Sequence, residues 1–344
     1  LHGAEIGGDL HIGHDAATRA ELGSFNFSRA DIAGDVVLAR TRIGSLDGSG
    51  STVGGAIDLH GIAARDINLQ NARHNSLVLM RYVDPSNLNE PDWCSGWRGV
   101  SGDGSTYTQQ AAARLDPARI PKIVLKNAQS QSLDATLASW RCEDQWISAD
   151  LTGYRYAIVR SDAIGLTKTM SAADSDELVG WLEGVERRNA GDSFRTEPYD
   201  VLAAALRSAG QPEKANDVIY AKYVERDNRT LESTNAFIAS VWRPLVRWAF
   251  GYGIYPYRVL WPIAGGVFIG MMLALFSRQQ ALQFNLARSL FYSIDKALPF
   301  VELSERHKEM ELGYRWMTGY FVVLRIFGFV LLAVTTGTLP FLDI

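Results

Sequence analysis

Short runs of alternating apolar and polar residues follow one another from Ile6 to Leu151. Three of these runs share the order aliphatic, any, Gly, Asp or Ala, aliphatic, any, aliphatic, and they begin at Ile6, Ile32 and Val53. Alternation places every second side chain on one face of a strand, and the glycine permits a tight corner before it. Because one such strand cannot bury its apolar face alone, the repeats predict coils that stack with parallel strands.

Weaker copies of the pattern begin at Ile67, Leu77, Ile123 and Ile147. We therefore predict a parallel β-solenoid over residues 1–161, with a loop insertion at about 82–119 that is rich in Gly and Trp. An antiparallel sandwich is the alternative, because it also has short strands at regular spacing.

Helical periodicity replaces this pattern between residues 162 and 236. The segment Asp174–Glu177 has the capping residue and early carboxylates of a helix N-terminus. Two later helical runs, separated by Gly210 and Pro212, predict an αα-hairpin. A single hairpin does not make a repeat array, so we interpret residues 162–236 as a structural connector.

The last segment, residues 237–344, is strongly apolar. No charged residue occurs from Val259 to Ser277, and about nineteen helical residues span about 30 Å, the thickness of the hydrocarbon core. A second apolar run is broken by Arg325. We predict transmembrane helices at 259–277 and 316–342, and hence an integral protein of the bacterial inner membrane.

Three further features belong to this predicted membrane domain. Gly266 and Gly270 have the small-xxx-small spacing of close helix packing. Residues 281–298 carry leucine or isoleucine at every fourth position and predict an amphipathic or re-entrant helix that does not span. The interfacial segment 237–258 and the start of the first span supply aromatic and basic interface anchors: Trp242, Arg243, Arg247, Trp248, Tyr255 and Trp261.

The composition excludes two classes of protein. Of 344 residues, 47% are hydrophobic and 21% charged, and the net charge is −4, which gives no basic field for nucleic acid. Two cysteines, Cys94 and Cys142, cannot form the framework of a disulfide-rich secreted domain. The cysteines resemble free thiols and a basic segment precedes the first span, so we expect the solenoid to be cytoplasmic. Leu1 falls within a repeat and is not methionine, so we expect further residues before it.

Chemical motifs are sparse. The sequence has no Gly-x-Gly-x-x-Gly turn and no Cys-x-x-Cys pair, so we predict no cofactor and no small-molecule substrate. His11, His14 and Asp15 are weak candidates for a divalent metal site, because imidazole and carboxylate bind such ions. We interpret Asp9 and Asp35, which recur in the repeat, as corner residues rather than as a catalytic pair.

The order of span, short amphipathic helix and span is similar to that of two-helix tetrameric cation channels. The filter of such channels is missing, since Leu298-Pro299-Phe300 follows the short helix. In a pore without that filter, Arg325, Asp295 and Glu302 would select ions by charge. Arg325 either faces a helix bundle or extends to the headgroups, and the sequence does not distinguish these alternatives.

The chain resembles a bacterial family of pentapeptide-repeat-like β-solenoid membrane proteins, often labelled membrane-associated oxidoreductases. The motifs that carry the resemblance are the repeats at Ile6, Ile32 and Val53, the hairpin that begins at Glu197, and the segments 251–256 and 292–299. The label implies redox chemistry, but no residues of the sequence identify a redox site. We therefore predict a membrane-anchored, non-enzymatic scaffold or accessory subunit. Its expected partners are the lipid bilayer and other membrane-protein subunits or a second copy, with a channel or an oxidoreductase as alternatives.

Overall fold

The computed structural model describes residues 1–12, 21–39, 41–79, 122–142, 145–160, 170–190, 194–229, 247, 251–276, 285–297 and 315–338. The chain divides into two compact units, unit 1 from Leu1 to Arg226 and unit 2 from Asp227 to Ile344. The described part of unit 1 contains all the strands and three helices, and that of unit 2 is helical. The predicted insertion at 82–119 lies outside the described residues.

Parallel pairing dominates the strands of unit 1. One sheet has the order β1-β4-β7-β9-β11-β15 with β2 and β5 beside it, a second has the order β14-β10-β8-β6-β3, and β12 pairs with β13 in an antiparallel ribbon. The strands are β1 (Glu5–Ile6), β2 (Leu10–His11), β3 (Glu21–Asn26), β4 (Asp31–Ile32), β5 (Val36–Val37), β6 (Arg42–Asp47), β7 (Thr52–Asp58), β8 (Ala63–Asn68), β9 (Arg73–Leu79), β10 (Lys122–Val124), β11 (Gln129–Ala135), β12 (Arg141–Cys142), β13 (Gln145–Trp146), β14 (Ser148–Asp150) and β15 (Arg155–Val159).

Equivalent positions of successive runs form columns across each sheet. In the first sheet, register places Leu10, Val36, Ile57, Leu77, Leu133 and Val159 in one column. In the second, Leu46 aligns with Ile67 and Ile123. All of these side chains except Leu10 are almost completely buried. A core built of stacked columns explains why aliphatic residues recur at fixed spacing.

The repeated aspartates are structural. Asp9 Oδ1 accepts a hydrogen bond from the Asp35 backbone N–H at 2.9 Å, and Asp35 Oδ1 accepts one from Ala56 N–H at 2.7 Å. A Cβ on Gly34 or Gly55 would lie 1.9 Å from the aspartate oxygen of the preceding run. The glycine of the motif is therefore required by the close approach of that aspartate, and the corner interpretation of Asp9 and Asp35 agrees with the geometry.

Three helices complete unit 1: α1 (Ser175–Ala190), α2 (Glu197–Ser208) and α3 (Pro212–Arg229). Helix α1 packs against β14 and α2 against β15, which are the last strands of the two sheets. Trp181 of α1 and Tyr199 of α2 are buried in the same hydrophobic core as the columns. The helices thus cover the terminal strands, whose backbone groups would otherwise be open to pairing.

The fold class predicted from the sequence is wrong. The described chain is an α/β-like arrangement of two parallel sheets and six helices, not a β-solenoid followed by two transmembrane helices. Repeat spacing correctly implied parallel pairing. It could not reveal that helices expected to be a separate connector share the core of the sheets, because that packing joins segments distant in sequence.

The helices of unit 2 are α4 (Leu260–Leu275), α5 (Leu286–Ala297) and α6 (Arg315–Thr338). Helix α4 has 16 residues and is about 24 Å long, short of the hydrocarbon thickness of about 30 Å. Within the described part of the chain, no helix combines the length and the apolar character needed to cross a bilayer. The predicted transmembrane helices at 259–277 and 316–342 are therefore wrong. The prediction of an integral inner-membrane protein with a cytoplasmic solenoid depended on these helices and is also wrong.

Candidate functional site

Large apolar side chains are exposed far more often in unit 2 than in unit 1. Of the fifteen exposed large hydrophobic side chains in the described residues, thirteen belong to unit 2. We define eleven of them as the apolar surface. Ten lie on helices and Phe276 directly follows α4: Trp261, Phe268, Ile269 and Phe276 at α4, Leu286 and Phe291 of α5, and Trp316, Val322, Val323, Ile326 and Phe329 of α6. Single exposed hydrophobic residues are normal, but a set on three helices is a candidate interaction surface.

Helix α4 exposes large apolar side chains and buries mainly small ones. Trp261, Phe268 and Phe276 project outward, with exposed fractions of 68%, 58% and 71%. The buried face consists of Gly270, Met271 and Ala274, at a spacing of three to four residues. Small residues on the inner face let the neighbouring helices approach closely.

Helix α5 is polar on its buried face. Ser289, Tyr292 and Ser293 are buried, whereas Leu286 and Phe291 are exposed. The sequence analysis predicted an amphipathic helix from the leucines at every fourth position. The helix is amphipathic, but Leu286 of that stripe points outward and the serines point inward.

Hydrogen bonds to backbone carbonyls link α5 and α6 to α4. Ser293 Oγ donates to the Val267 carbonyl at 2.8 Å, and Tyr320 Oη donates to the Gly266 carbonyl at 2.7 Å. The rings of Tyr292 and Phe321 meet edge to face, with centroids 5.3 Å apart. These contacts hold the three helices together.

Gly266 and Gly270, the predicted packing residues, lie at these contacts. A Cβ on Gly270 would approach Ser293 Oγ to 2.3 Å, and one on Gly266 would approach Leu324 Cδ1 to 2.5 Å. Both glycines are therefore positions where another helix comes too close for a side chain.

Lys296 of α5 interacts electrostatically with Asp295 and with Arg325 of α6. Burial lowers the pKa of Lys296, Asp295 opposes this effect, and the positive charge of Arg325 lowers the pKa further. The Lys296 ammonium is 5.6 Å from the centre of the Tyr292 ring. Asp295 and Arg325, two of the three predicted pore residues, thus influence the same lysine. The third, Glu302, lies outside the described residues.

The predicted interface anchors are only partly described. Trp261 is strongly exposed, as is Arg247, while Tyr255 is half-buried beneath the guanidinium of Arg258, which is 4.5 Å from its ring centre. The remaining anchors, Trp242, Arg243 and Trp248, lie outside the described residues.

The weak metal candidates are also partly described. His11 Nε2 lies 3.6 Å from Asp9 Oδ2, and that aspartate is engaged by the Asp35 backbone N–H. His14 and Asp15 lie outside the described residues. No group of three or more metal-binding side chains is found in the described ranges.

The residue patterns of the sequence did not predict a polar cluster in unit 1. Ser132 Oγ donates to Ser76 Oγ at 3.0 Å, Ser76 Oγ donates to Asp134 Oδ2 at 2.9 Å, and the Arg160 guanidinium lies 3.8 Å from the same carboxylate. Asp134 and both serines are buried. Their hydrogen bonds join β9 to β11, so the cluster reinforces the register of these strands.

Lys296, Ser289 and Ser293 of unit 2 were also missed. The available signal was the serine pair spaced by four residues on a helix that otherwise carries leucines. That spacing aligns both hydroxyls on one face. Periodicity alone does not decide whether the serine face or the leucine face is buried.

Comparison with protein-family models, with curated proteins and with solved structures finds no match for the chain.

Proposed function

We propose that this protein is a non-catalytic assembly scaffold that associates with a lipid bilayer through unit 2 and offers the sheets of unit 1 to partner proteins. The observation that carries the proposal is the exposure of large apolar side chains on the described helices of unit 2. These helices bury serines, glycines and a tyrosine together with Met271, Phe321 and Leu324, and they expose tryptophan, phenylalanine and branched aliphatic residues.

The exposure of these side chains favours acyl chains as the surroundings of the apolar surface. In water, each large apolar side chain left exposed forgoes about 1.5–3 kcal/mol of transfer free energy. Lipid recovers this free energy on the outward faces of all three helices at once, because acyl chains adapt to any contour. A spanning helix is not required, since helices that lie in the interfacial region bury their apolar faces in the same phase.

The described sheets of unit 1 are suited to recognition by partner proteins. Their strands are held in register by backbone ladders and by the stacked aspartates Asp9 and Asp35, which makes the faces rigid. Helices α1 and α2 cover the last strands β14 and β15. Another chain therefore cannot add a strand beside β14 or β15. The polar outer faces of the sheets remain available for contacts with partner proteins.

Vesicle flotation of the full chain tests the lipid half of the proposal. The full chain is expected to float with phosphatidylcholine vesicles containing phosphatidylglycerol. The double variant Phe268→Asp/Ile326→Asp introduces charge on α4 and α6 and is expected to weaken partitioning at least about tenfold. The matched control is Ile158→Asp, which changes an exposed aliphatic residue of unit 1 and should leave flotation unchanged.

Two results would contradict lipid association. One is a full chain that remains monomeric without detergent and does not float. The other is a discrete oligomer in which a second copy shields the apolar surface and abolishes vesicle binding.

Cross-linking in the native host tests the assembly half. Lysine-reactive reagents are expected to join Lys122 or Lys126, both exposed on unit 1, to one partner protein at reproducible stoichiometry. A single monodisperse protomer after extraction in mild detergent, without cross-links from unit 1, would overturn this half and leave lipid association standing.

A further inference from the structure

A row of polar side chains crosses six strands of the first sheet of unit 1. Register places one residue from each of β1, β4, β7, β9, β11 and β15 side by side. We name this set the charged row; its members, in order across the sheet, are Glu5, Asp31, Thr52, Arg73, Gln129 and Arg155. All six are exposed. Since successive side chains of a strand point to opposite faces, and the next residue of each strand faces the core, the charged row lies on the outer face of the sheet.

Positive and negative charges are separated along the charged row. Glu5 and Asp31 are neighbours at one end. Arg73 and Arg155 occupy the other half, with Gln129 between them. Like charges beside one another on a sheet repel, and among the described residues no ion pair is found for these four charged side chains. Each half of the charged row therefore favours a partner of opposite charge.

A second copy in reversed orientation carries the matching charges. A two-fold axis parallel to the strands, between β7 and β9, would place the two rows face to face in opposite order. Glu5 would then lie opposite Arg155 of the second copy, and Asp31 would lie one strand spacing, about 4.8 Å, from the position opposite Arg73 of the second copy. An acidic peptide matches only the basic half of the row and a basic peptide only the acidic half. A second copy satisfies both halves at once.

We propose that two copies of this protein associate face to face through the charged row. The inference rests on the assembly half of the proposed function and deepens it, because it names a second copy as the partner of one sheet face. Ion pairs on an exposed surface are individually weak and are screened by salt. The dimer is therefore reversible, and its affinity falls as the ionic strength rises.

Sedimentation velocity of the full chain in mild detergent measures this association, because the detergent covers the apolar surface of unit 2. The dissociation constant of the dimer is expected to rise at least about tenfold between about 0.05 M and 0.5 M salt. A chain that remains monomeric at about 0.1 mM in low salt would overturn the dimer. Vesicle flotation and cross-links from unit 1 to another protein would still test the proposed function separately.

Charge reversal tests the role of the charged row directly. Glu5→Arg/Asp31→Arg makes the row positive throughout, and Arg73→Glu/Arg155→Glu makes it negative throughout. Each double variant alone is expected to dimerise at least about tenfold more weakly, because the facing rows then carry like charges. An equimolar mixture of the two should recover the dimer, which would also show that both variants fold. Failure of the mixture to recover it would overturn the proposal.

The matched control is Asp66→Arg/Asp176→Arg, which changes the net charge as much as Glu5→Arg/Asp31→Arg does. Asp66 and Asp176 are exposed on β8 and α1, outside the charged row. This control should retain the dimer. Equal losses for the control and for Glu5→Arg/Asp31→Arg would overturn the proposal, because they would indicate repulsion by net charge alone. Circular dichroism verifies that each variant is folded.

Carbodiimide coupling tests the face-to-face orientation. Arg155→Lys keeps the positive charge and supplies an amine that can be coupled to the Glu5 carboxylate. Within one copy the two positions are five strand spacings apart, about 24 Å, so a link between them joins two copies. We expect this link in the dimer of Arg155→Lys, identified by mass spectrometry of peptides. A dimer without it would overturn the proposed orientation, and a different protein linked to the row of a monomeric chain would overturn the second copy as partner.

Discussion

His74 lies in a column of the first sheet that begins with three aliphatic residues. Register aligns it with Ile6, Ile32 and Val53 on one side and with Ser130 on the other. The imidazole is buried, and neither ring nitrogen has a hydrogen-bond partner in the described part of the chain. Burial lowers the pKa of His74 from 6.5 to about 4, so the side chain is neutral in the folded protein at pH 7.

This position predicts acid sensitivity of unit 1. Since the unfolded chain binds a proton below about pH 6.5 and the folded chain only near pH 4, stability is lost as the pH falls between these values. The loss attributable to His74 is about 3 kcal/mol when the pH falls to 4. His74→Val should remove this loss and raise stability at pH 7, because valine matches Val53 in the column.

Urea unfolding of unit 1 between pH 7 and pH 4 measures the effect. His11→Val serves as the control, since His11 is exposed in the same unit, and it should leave the pH dependence in place. An unchanged pH dependence in His74→Val would contradict the role assigned to the buried imidazole.

Corner residues show what residue types alone can reveal. Glycine beside aspartate in a repeated motif indicated corners, and the contacts of Asp9 and Asp35 agree with that interpretation. His74 carried no comparable signal, because its burial depends on register with strands far along the chain.

Helix α1 is attached to the sheets by an unusually close contact. A Cβ on Gly184 would lie 1.9 Å from Trp146 Cδ1, whereas one on Gly180, one turn earlier, would meet nothing within 4 Å. Trp181, between these glycines, packs on Trp140 with ring centroids 5.3 Å apart. The helix therefore needs a glycine at one of the two positions only.

The two glycines predict opposite effects of the same substitution. Gly184→Ala should destabilise unit 1 by about 1–3 kcal/mol, because the added methyl group forces α1 away from Trp146. Gly180→Ala should stabilise it by up to about 1 kcal/mol, since alanine favours a helix at an open position. Chemical unfolding followed by tryptophan fluorescence measures both. Equal effects of the two variants would contradict the docking described for α1.

The sequence predicted where helices form better than it predicted which segments they pack against. Helical segments near residues 175, 198 and 215 were expected from capping residues and periodicity, and helices lie there. The face that each helix buries was not predictable. The leucine stripe of α5 predicted an amphipathic helix without specifying its buried face, and Ser289 and Ser293 are among the residues that the helix buries. Periodicity defines two faces, whereas the medium and the neighbouring helices decide which of them points inward.

The division into two units predicts that unit 1 folds on its own. A fragment of residues 1–226 contains the sheets, α1, α2, all but the last three residues of α3 and their common hydrophobic core, and it should unfold cooperatively and fail to bind vesicles. A fragment of residues 1–160 should be markedly less stable, because it lacks Trp181 and Tyr199, which cover the last strands. Circular dichroism during urea unfolding compares the stability of the two fragments. An unfolded 1–226 fragment would contradict the independence of unit 1.

At the scale of the whole molecule, apolar composition located the region with most of the exposed hydrophobic side chains of the described residues. It also predicted transmembrane helices there, and that prediction is wrong. Residues 237–344 were expected to be distinctive because of their apolar runs, and they contain most of the exposed hydrophobic side chains of the described residues. The predicted spans were wrong, because hydropathy along the sequence does not determine where a helix begins and ends. Helix α4 begins at Leu260 and has only 16 residues.

The sequence by itself determined local matters: the period of the strands and their parallel pairing, the glycine and aspartate corners, and the contrast between a polar first part and an apolar last part. These follow from interactions between residues close in the chain or repeated at fixed spacing. Only the tertiary structure decided that α1 and α2 complete the sheets, that His74 is buried, and that large apolar side chains of unit 2 are exposed. Each of these depends on contacts between segments distant in sequence, which no local pattern specifies.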